Sequence, residues 1–310
     1  MLSVVIPAYN EEKLIALAAD RLGSVLGDAG IPCELIFVDD GSSDKTWEEI
    51  NRASEKAAYV QGLSFSRNFG KEAAIFAGMA AAAGDCCAVI DCDLQHPPEI
   101  LPEMYALWQQ GWEVVNGVKA DRGRESGLHT FAANTFYKIM SRAARIDMAR
   151  ASDFKLMDRR VVDALLGLEE HRTFFRALVG WVGFRSTNVE FRVAERTEGT
   201  SHWSTASLFR YAFSNIAAYS SAPMQAVTVF GVLTLIFSMV LGIQTLVRWA
   251  LGSAADGFTT VIMVLLLIGS ILMISLGIIG YYIAEIFTEI KARPRYLVRQ
   301  VCGKEKTDKL

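Results

Sequence analysis

The sequence predicts an α/β domain on a mainly parallel sheet, followed by an interfacial helix and two transmembrane helices. Three observations predict it. Apolar, β-rich runs alternate with stretches of helical length over the first 118 residues, and such alternation makes βαβ units with helices on both faces of a parallel sheet. Polar clusters follow each of the first five runs, so they collect along the carboxyl edge of that sheet, where open α/β sheets bind ligands. Residues 211–247 and 257–284 contain no charged side chain, and each stretch exceeds the ~20 residues that a helix needs to cross a bilayer.

Taken in order, residues 2–7 read as a first strand and 11–26 as a helix with Asn10 as its N-cap. Residues 34–39 make a second strand, which ends in the turn-forming cluster Asp39-Asp40-Gly41-Ser42-Ser43-Asp44 before a helix over 47–56. A third strand, 59–65, leads through Ser66-Arg67-Asn68-Phe69-Gly70 into an Ala-rich helix over 71–83. The fourth strand, 87–90, precedes a helix that Pro97 and Pro98 open, since proline suits a first helical turn. Residues 112–118 form a fifth strand, 128–145 a helix, and 152–157, 182–185 and 187–194 further strands. Leu208, Phe209, Phe213 and Ile216 share one helical face, which suits either a helix in the membrane interface or an ordinary core helix; the former is adopted.

Five segments follow: a cytoplasmic domain 1–207, an interfacial helix 208–222, transmembrane helices 223–250 and 257–284, and a basic cytoplasmic tail 285–310. Buried core helices are the alternative to membrane spans, but such helices rarely stay uncharged for so long. No basic residue precedes the run 2–6, and Pro7, Asn10, Glu11 and Glu12 cut it short, so no signal peptide is expected. The first ~200 residues are expected to remain where they are made, and two spans return the tail to that side. Its Lys291, Arg293, Arg295, Arg299, Lys304, Lys306 and Lys309 fit the positive-inside tendency. The expected location is the inner or plasma membrane, with both termini cytoplasmic. Gly231, Gly242, Gly269, Ser270, Gly277 and Gly280 permit close helix packing and allow a homo-oligomer.

Hydrophobic residues make up 52% of the chain and the mean hydropathy is +0.25, high for a soluble protein. A net charge of −3 points away from nucleic acid. The five cysteines and four histidines show no metal-type spacing; the thiols are expected to stay reduced, and Cys86, Cys87 and Cys92 to serve as small strand residues.

The run Val89-Ile90-Asp91-Cys92-Asp93-Leu94-Gln95 carries the most chemistry. In an extended backbone Asp91 and Asp93 point to one face. Paired carboxylates just past a strand suit Mg²⁺ or Mn²⁺, which share their coordination with substrate phosphates. A lone Asp-x-Asp is a weak motif; its place among four other polar strand ends makes it a site. Arg67 and Lys71 lie where cations and helix-start N–H groups can meet phosphate, or simply form a solvated first turn.

Several ordered motifs together resemble a known family. Ser3-Val4-Val5-Ile6-Pro7-Ala8-Tyr9-Asn10-Glu11-Glu12, Val38-Asp39-Asp40-Gly41-Ser42 and Asp91-Cys92-Asp93-Leu94-Gln95 look like family 2 glycosyltransferases of the GT-A (Rossmann-like) fold. Ser64-Phe65-Ser66-Arg67-Asn68-Phe69-Gly70-Lys71-Glu72, Ser152-Asp153-Phe154-Lys155-Leu156-Met157-Asp158-Arg159 and Arg293-Pro294-Arg295-Tyr296 narrow the likeness. They resemble polyisoprenyl-phosphate glycosyltransferases of the bactoprenol glucosyl transferase group and, more distantly, dolichol-phosphate mannose synthase. The likeness implies transfer of a sugar, with inversion, from a nucleotide sugar to polyprenyl (undecaprenyl) phosphate. UDP-glucose is the expected donor; UDP-N-acetylglucosamine, an aminoarabinose donor and GDP-mannose are the alternatives, as is a silent nucleotide-binding scaffold.

By the same likeness Pro7, Ala8, Tyr9, Asn10, Glu11 and Cys92 line the nucleotide-sugar pocket, and Asp39 and Asp40 bind base or ribose. Asp91 and Asp93 hold the metal, Gln95 orients the metal shell or donor, and Asp153 is a candidate base. The acceptor phosphate is largely dianionic at neutral pH and needs no strong base, so Asp153 has positioning of acceptor or sugar as its other reading. Two dianions must meet, which calls for cations: Lys119, Arg122, Arg124 and Arg196, with Ser201 and His202, are the phosphate candidates. Relatives tend to carry Lys where this chain has His202.

Two other classes fit less well. A sugar-phosphate nucleotidyltransferase wants a Gly-rich basic loop after the first strand, where this chain has Pro7-Ala8-Tyr9-Asn10-Glu11-Glu12. A polysaccharide synthase wants more spans and a Gln-x-x-Arg-Trp motif.

Overall fold

All seven residues of β1 (Leu2–Ala8) are buried, which a strand achieves only when both faces of its sheet are covered. β1 lies between β2 (Cys33–Asp39) and β4 (Cys86–Val89), parallel to both, and β3 (Val60–Phe65) continues the parallel set beyond β2. β5 (Val114–Lys119) reaches this set only through β6 (Lys155–Asp158), which runs antiparallel to both β4 and β5. β7 (Ser186–Phe191) pairs parallel with β5, and β8 (Val298–Cys302) antiparallel with β3. The sheet order is β7-β5-β6-β4-β1-β2-β3-β8. The carboxyl ends of β1 to β5 therefore share one edge, and the two reversed strands bring their amino ends to it.

The computed structural model describes residues 1–119, 152–168, 170, 174–191, 222–251 and 258–303. Two compact units divide the chain: Met1–His202 with Arg293–Leu310, and Trp203–Ala292. In the first, Leu2, Val4, Ile6 and Ala8 join Ile15 and Leu22 of α1 (Ile15–Asp28) and Ile50 of α2 (Thr46–Lys56) in one core. The opposite face carries α3 (Lys71–Ala81), which packs on β1 and β2. Gly78 permits that approach, because a Cβ there would run into Val5. α4 (Leu101–Gln109) follows β4, α5 (Arg159–Leu166) packs on α3, and α6 (Phe175–Trp181) packs on α5.

Several expectations need correction. Asn10 is not the N-cap of α1: its φ is 56° and its carboxamide is spent on the next loop, so the helix begins at Ile15 behind Leu14. Residues 182–185 are no strand, since Val182 ends α6 and Gly183 turns the chain with φ 74°. The strand expected over 152–157 spans Lys155–Asp158. Neither α5 nor α6 was read from the sequence. The segment 285–310 is not one basic tail. Residues 285–290 continue the last helix, and Val298–Cys302 completes the sheet, with Tyr296 stacked on Phe65 of β3 at 5.1 Å. The helix expected over 128–145 lies outside the described residues, as does the interfacial helix expected over 208–222 except Ala222, which begins the next helix.

The second unit contains α7 (Ala222–Ala250) and α8 (Phe258–Ile290), which pack on each other. Both are long and apolar enough to cross a membrane, with mean hydropathy 2.1 over Val227–Thr245 and 2.0 over Leu267–Ile290. Their large apolar side chains, Leu235, Met239, Met273 and Ile274 among them, stand exposed. Among the described residues the small side chains do not seam the pair, because a Cβ at Gly231, Gly242, Gly269, Gly277 or Gly280 would meet nothing within 4 Å.

Candidate active site

The loops after β1 and β2 are laced together by their polar side chains. Ser42 Oγ accepts from Asn10 N–H at 2.9 Å, and Asn10 Oδ1 accepts from Ser43 N–H at 2.9 Å. Thr46 Oγ1 accepts from Glu11 N–H at 2.8 Å, and Glu12 Oε2 from Lys45 N–H at 3.1 Å. Irregular backbone has no ladder to satisfy its N–H groups, so these side chains do it and hold both loops at the edge. Asp40 ties in the loop after β3: its carboxylate accepts from Phe69 N–H at 2.7 Å and Gly70 N–H at 2.9 Å. Burial raises its pKa, and those two bonds work against the rise.

A cavity of about 310 Å³ opens where these loops meet. Pro7 and Ala8 at the end of β1, Tyr9 and Glu11 of the loop after it, and Asp40, Asn68, Gly70 and Lys71 line it. Asp91, Cys92 and Asp93 complete the wall. The extended geometry expected for Asp91 and Asp93 is not what aligns them. β4 ends at Val89, Cys92 and Asp93 sit in a turn, and Leu94 takes φ 53°. That turn lets Asp93 Oδ1 accept from Gln95 N–H at 3.1 Å while both carboxylates still reach the cavity. Beside Asp91, His96 lies 3.8 Å away through Nδ1 and packs its ring against Phe154 and Phe191.

One wall of the cavity leads into a charged cluster. Lys71, the first residue of α3, places Nζ 2.6 Å from Asp91 Oδ1 and 2.8 Å from Asp153 Oδ2. Arg176 of α6 holds Asp153 from the other side, Nε to Oδ1 at 2.6 Å and Nη2 to Oδ2 at 2.9 Å. Burial would raise the Asp153 carboxyl, but the Arg176 hydrogen bonds and the Lys71 charge hold it well below the usual carboxylate range. Lys71 is raised, because Asp91 and Asp153 together outweigh its burial. Glu72 accepts from Phe175 N–H at 2.8 Å, and burial pushes its pKa up to about 7. Lys155 is 4% exposed and donates to Asn116 Oδ1 at 2.6 Å; burial lowers its pKa to about 8.

The fold brings together Pro7, Ala8, Tyr9, Glu11, Asp40, Lys71, Asp91, Cys92 and Asp93 on the cavity, with Asp153 one ammonium behind. It leaves three expected pocket residues off that wall. Asn10 is consumed by the second loop. Asp39 is 2% exposed, and its carboxylate accepts from Ser64 Oγ–H and Ser42 N–H. Arg67 is exposed, with its guanidinium 4.0 Å over the Phe69 ring. Gln95 engages through its backbone and is not part of the cavity wall. Lys119 ends β5; its side chain, with Arg122, Arg124, Arg196, Ser201 and His202, lies outside the described residues. Sequence reasoning missed Glu72, Asn68, Lys155 and Arg176. For the last two a signal existed: each is a lone cation inside an apolar run, Phe154-Lys155-Leu156 and Phe175-Arg176-Ala177.

Among the described residues no group of three His, Cys, Asp or Glu could enclose a metal ion. The donors present still fit a divalent ion of the Mg²⁺ type, which needs only one or two carboxylates when substrate phosphates fill the rest of its shell. Glu11 lines the same cavity; burial, and then the charges of Asp93, Asp44 and Asp91, raise its pKa.

The glycosyl transferase family 2 sequence model matches residues 3–166. The chain belongs to that family. A Synechocystis sp. protein known as an uncharacterized glycosyltransferase is 36% identical over 309 residues, covering 98% of this chain and 96% of its own. The prophage-derived bactoprenol glucosyl transferase of Shigella flexneri is 33% identical over 304 residues, with 96% and 97% covered. Among solved structures, a mycobacterial protein aligns with TM-score 0.50 and 21% identity, over 70% of this chain and 72% of that one. The fold of this family 2 glycosyltransferase is thus GT-A-like, with a mostly parallel sheet, as its motifs led one to expect.

Proposed function

We propose that this family 2 glycosyltransferase is membrane-bound and inverting, and that it moves one glucose from UDP-glucose onto the phosphate of a polyprenyl carrier such as undecaprenyl phosphate. The observation that carries the proposal is that Asp91, Asp93 and Lys71 line one cavity, in a chain that also holds two helices fit to cross a bilayer. Likeness to a bactoprenol glucosyl transferase along nearly the whole chain supports a lipid-linked acceptor and glucose. The basic residues that follow the second span support a cytoplasmic catalytic domain with both termini on that side.

The acceptor phosphate oxygen attacks the anomeric carbon, the bond from that carbon to the diphosphate breaks, and its electron pair leaves on UDP. Asp91 and Asp93 would hold Mg²⁺ or Mn²⁺, which when bound neutralises charge on the departing diphosphate. Tyr9 and Pro7, which line the same cavity, would offer an apolar surface to the nucleoside. Asp153 is a poor proton acceptor, because Arg176 and Lys71 engage both of its oxygens. Its work is to hold those cations in place, and the dianionic acceptor brings no proton that must be removed.

The deciding assay offers full-length protein, Mg²⁺ or Mn²⁺ and undecaprenyl phosphate a panel of nucleotide sugars and identifies the lipid products by mass. Glucosyl lipid from UDP-glucose is expected. Transfer from an N-acetylglucosamine, aminoarabinose or GDP-mannose donor instead would replace the sugar and keep the reaction; no product from any donor ends the proposal.

A further inference from the structure

Resting on that reading, we infer that Arg176, oriented by Asp153 and backed by Lys155, binds a substrate phosphate, and that this phosphate is the acceptor's monoester. Substrate chemistry sets where such a site must lie. The anomeric carbon is bonded to one phosphate oxygen in the donor and to another in the product. Both phosphates therefore come within one sugar's width of each other, and the second needs cations beside the metal-binding carboxylates but not on them.

The corner behind the cavity meets that requirement. Asp91 on the cavity wall is joined to Lys71, Lys71 to Asp153, and Asp153 to Arg176, through contacts of 2.6, 2.8 and 2.6 Å. Asp153 is a buried carboxylate, with a side chain 7% exposed, whereas the Arg176 side chain is 35% exposed and Lys71 42%. Charges grade outward from a buried anchor to two cations with open surface. A two-point grip fixes the plane of a guanidinium, and a planar, pre-oriented guanidinium is the group best suited to phosphate oxygens. The backbone under Arg176 is held as well, since Glu72 accepts the N–H of Phe175.

Lys155 supplies the second observation. It stands two residues from Asp153, at the start of β6, close enough for the charges of Asp153 and Arg176 both to act on it. Among the described residues its ammonium has a carboxamide, Asn116, and no carboxylate within ion-pair distance. A buried charge lacking an opposite charge is costly, and it adds positive potential at the place where Arg176 is presented.

The test measures binding and turnover on full-length protein in lipid nanodiscs, with farnesyl phosphate and UDP as calorimetric probes. Arg176→Ala is expected to weaken farnesyl phosphate at least tenfold and UDP less than twofold, and to raise KM for the lipid more than for the nucleotide sugar. Arg176→Lys should recover part of the loss, and Lys155→Met should weaken farnesyl phosphate about threefold. A loss confined to UDP would support the phosphate site with the donor diphosphate as its source. Unchanged affinity for both probes in folded Arg176→Ala overturns the inference; should that variant fail to fold, Arg176→Gln and Arg176→Lys decide by the same readings. Wild-type protein that binds farnesyl phosphate through Arg176 yet transfers no sugar would defeat the proposed reaction and leave this site standing. Normal transfer with unaltered constants in Arg176→Ala does the reverse.

Discussion

Arg176 grips Asp153 through two hydrogen bonds, Nε to Oδ1 at 2.6 Å and Nη2 to Oδ2 at 2.9 Å, across 23 positions of sequence. Its consequence is electrostatic. A carboxylate so engaged stays ionised far below neutral pH, which makes it a strong anchor and a weak base.

Asp153→Asn should lower turnover and cost about 3 kcal/mol of stability, because Lys71 and Arg176 then face each other without their shared counter-charge. The acid limb of its pH–rate profile should stay where the parent has it, near the second ionisation of the acceptor phosphate at roughly pH 6. Disappearance of that limb in the variant would restore Asp153 as the base.

Replacing Asp91 or Asp93 by Ala should cut turnover by about 10²–10³ or more, with circular dichroism unchanged, and should abolish any dependence of UDP binding on Mg²⁺. Retention of parental turnover in either well-folded variant would show that these carboxylates serve packing alone.

Glu72 links pH to stability. Its pKa rises from 4.5 to about 7 on folding, so the folded chain keeps a proton that the unfolded chain releases. Stability from this group is full below pH 4.5 and is lost as pH rises through about 7. Glu72→Gln keeps an acceptor for Phe175 N–H and cannot ionise. It should match the parent in thermal midpoint near pH 4.5 and exceed it at pH 8, by at most roughly 3 kcal/mol. Equal midpoints at both pH values would rule out the buried ionisation.

The returning strand should matter to the catalytic unit. Tyr296 stacks on Phe65 at 5.1 Å, Arg295 lies 4.7 Å over the Phe76 ring and donates to the carbonyl of Leu168, and β8 pairs with β3. Tyr296→Ala should cost about 2–3 kcal/mol, and a chain ending before Arg293 should melt earlier and lose turnover. Wild-type melting of such a truncated chain would mean that β8 is dispensable.

The resemblance to polyisoprenyl-phosphate glycosyltransferases leads one to expect Lys at the position of His202. If it serves a phosphate, activity should rise as pH falls towards about 6.5, where imidazole gains charge, before the acceptor loses its own below roughly 6. His202→Lys should then extend activity to higher pH, and an unchanged profile would count against the role.

The β/α alternation, the carboxyl-edge clusters, the Asp91 and Asp93 pair and the two apolar helices were all legible in the sequence, because each is a local signal: period, turn chemistry, or a long uncharged run. The details that failed were also local, where a long-range partner outbid the local preference. Asn10 looks like a helix cap, yet Ser43 N–H claims its carboxamide. Asp39 looks like a ligand, yet Ser64 and Ser42 take its oxygens.

By itself, the sequence determined the family, the parallel framework and the edge at which Asp91 and Asp93 stand, since strand direction carries every residue after a strand to the same edge. Only the tertiary structure decided what stands behind those carboxylates. Lys71 and Asp153 are 82 positions apart, and Glu72 and Phe175 are 103 apart. Val298–Cys302 pairs with a strand from the start of the chain. No periodicity encodes such meetings; they arise because an antiparallel strand delivers its beginning to the edge where parallel strands deliver their ends.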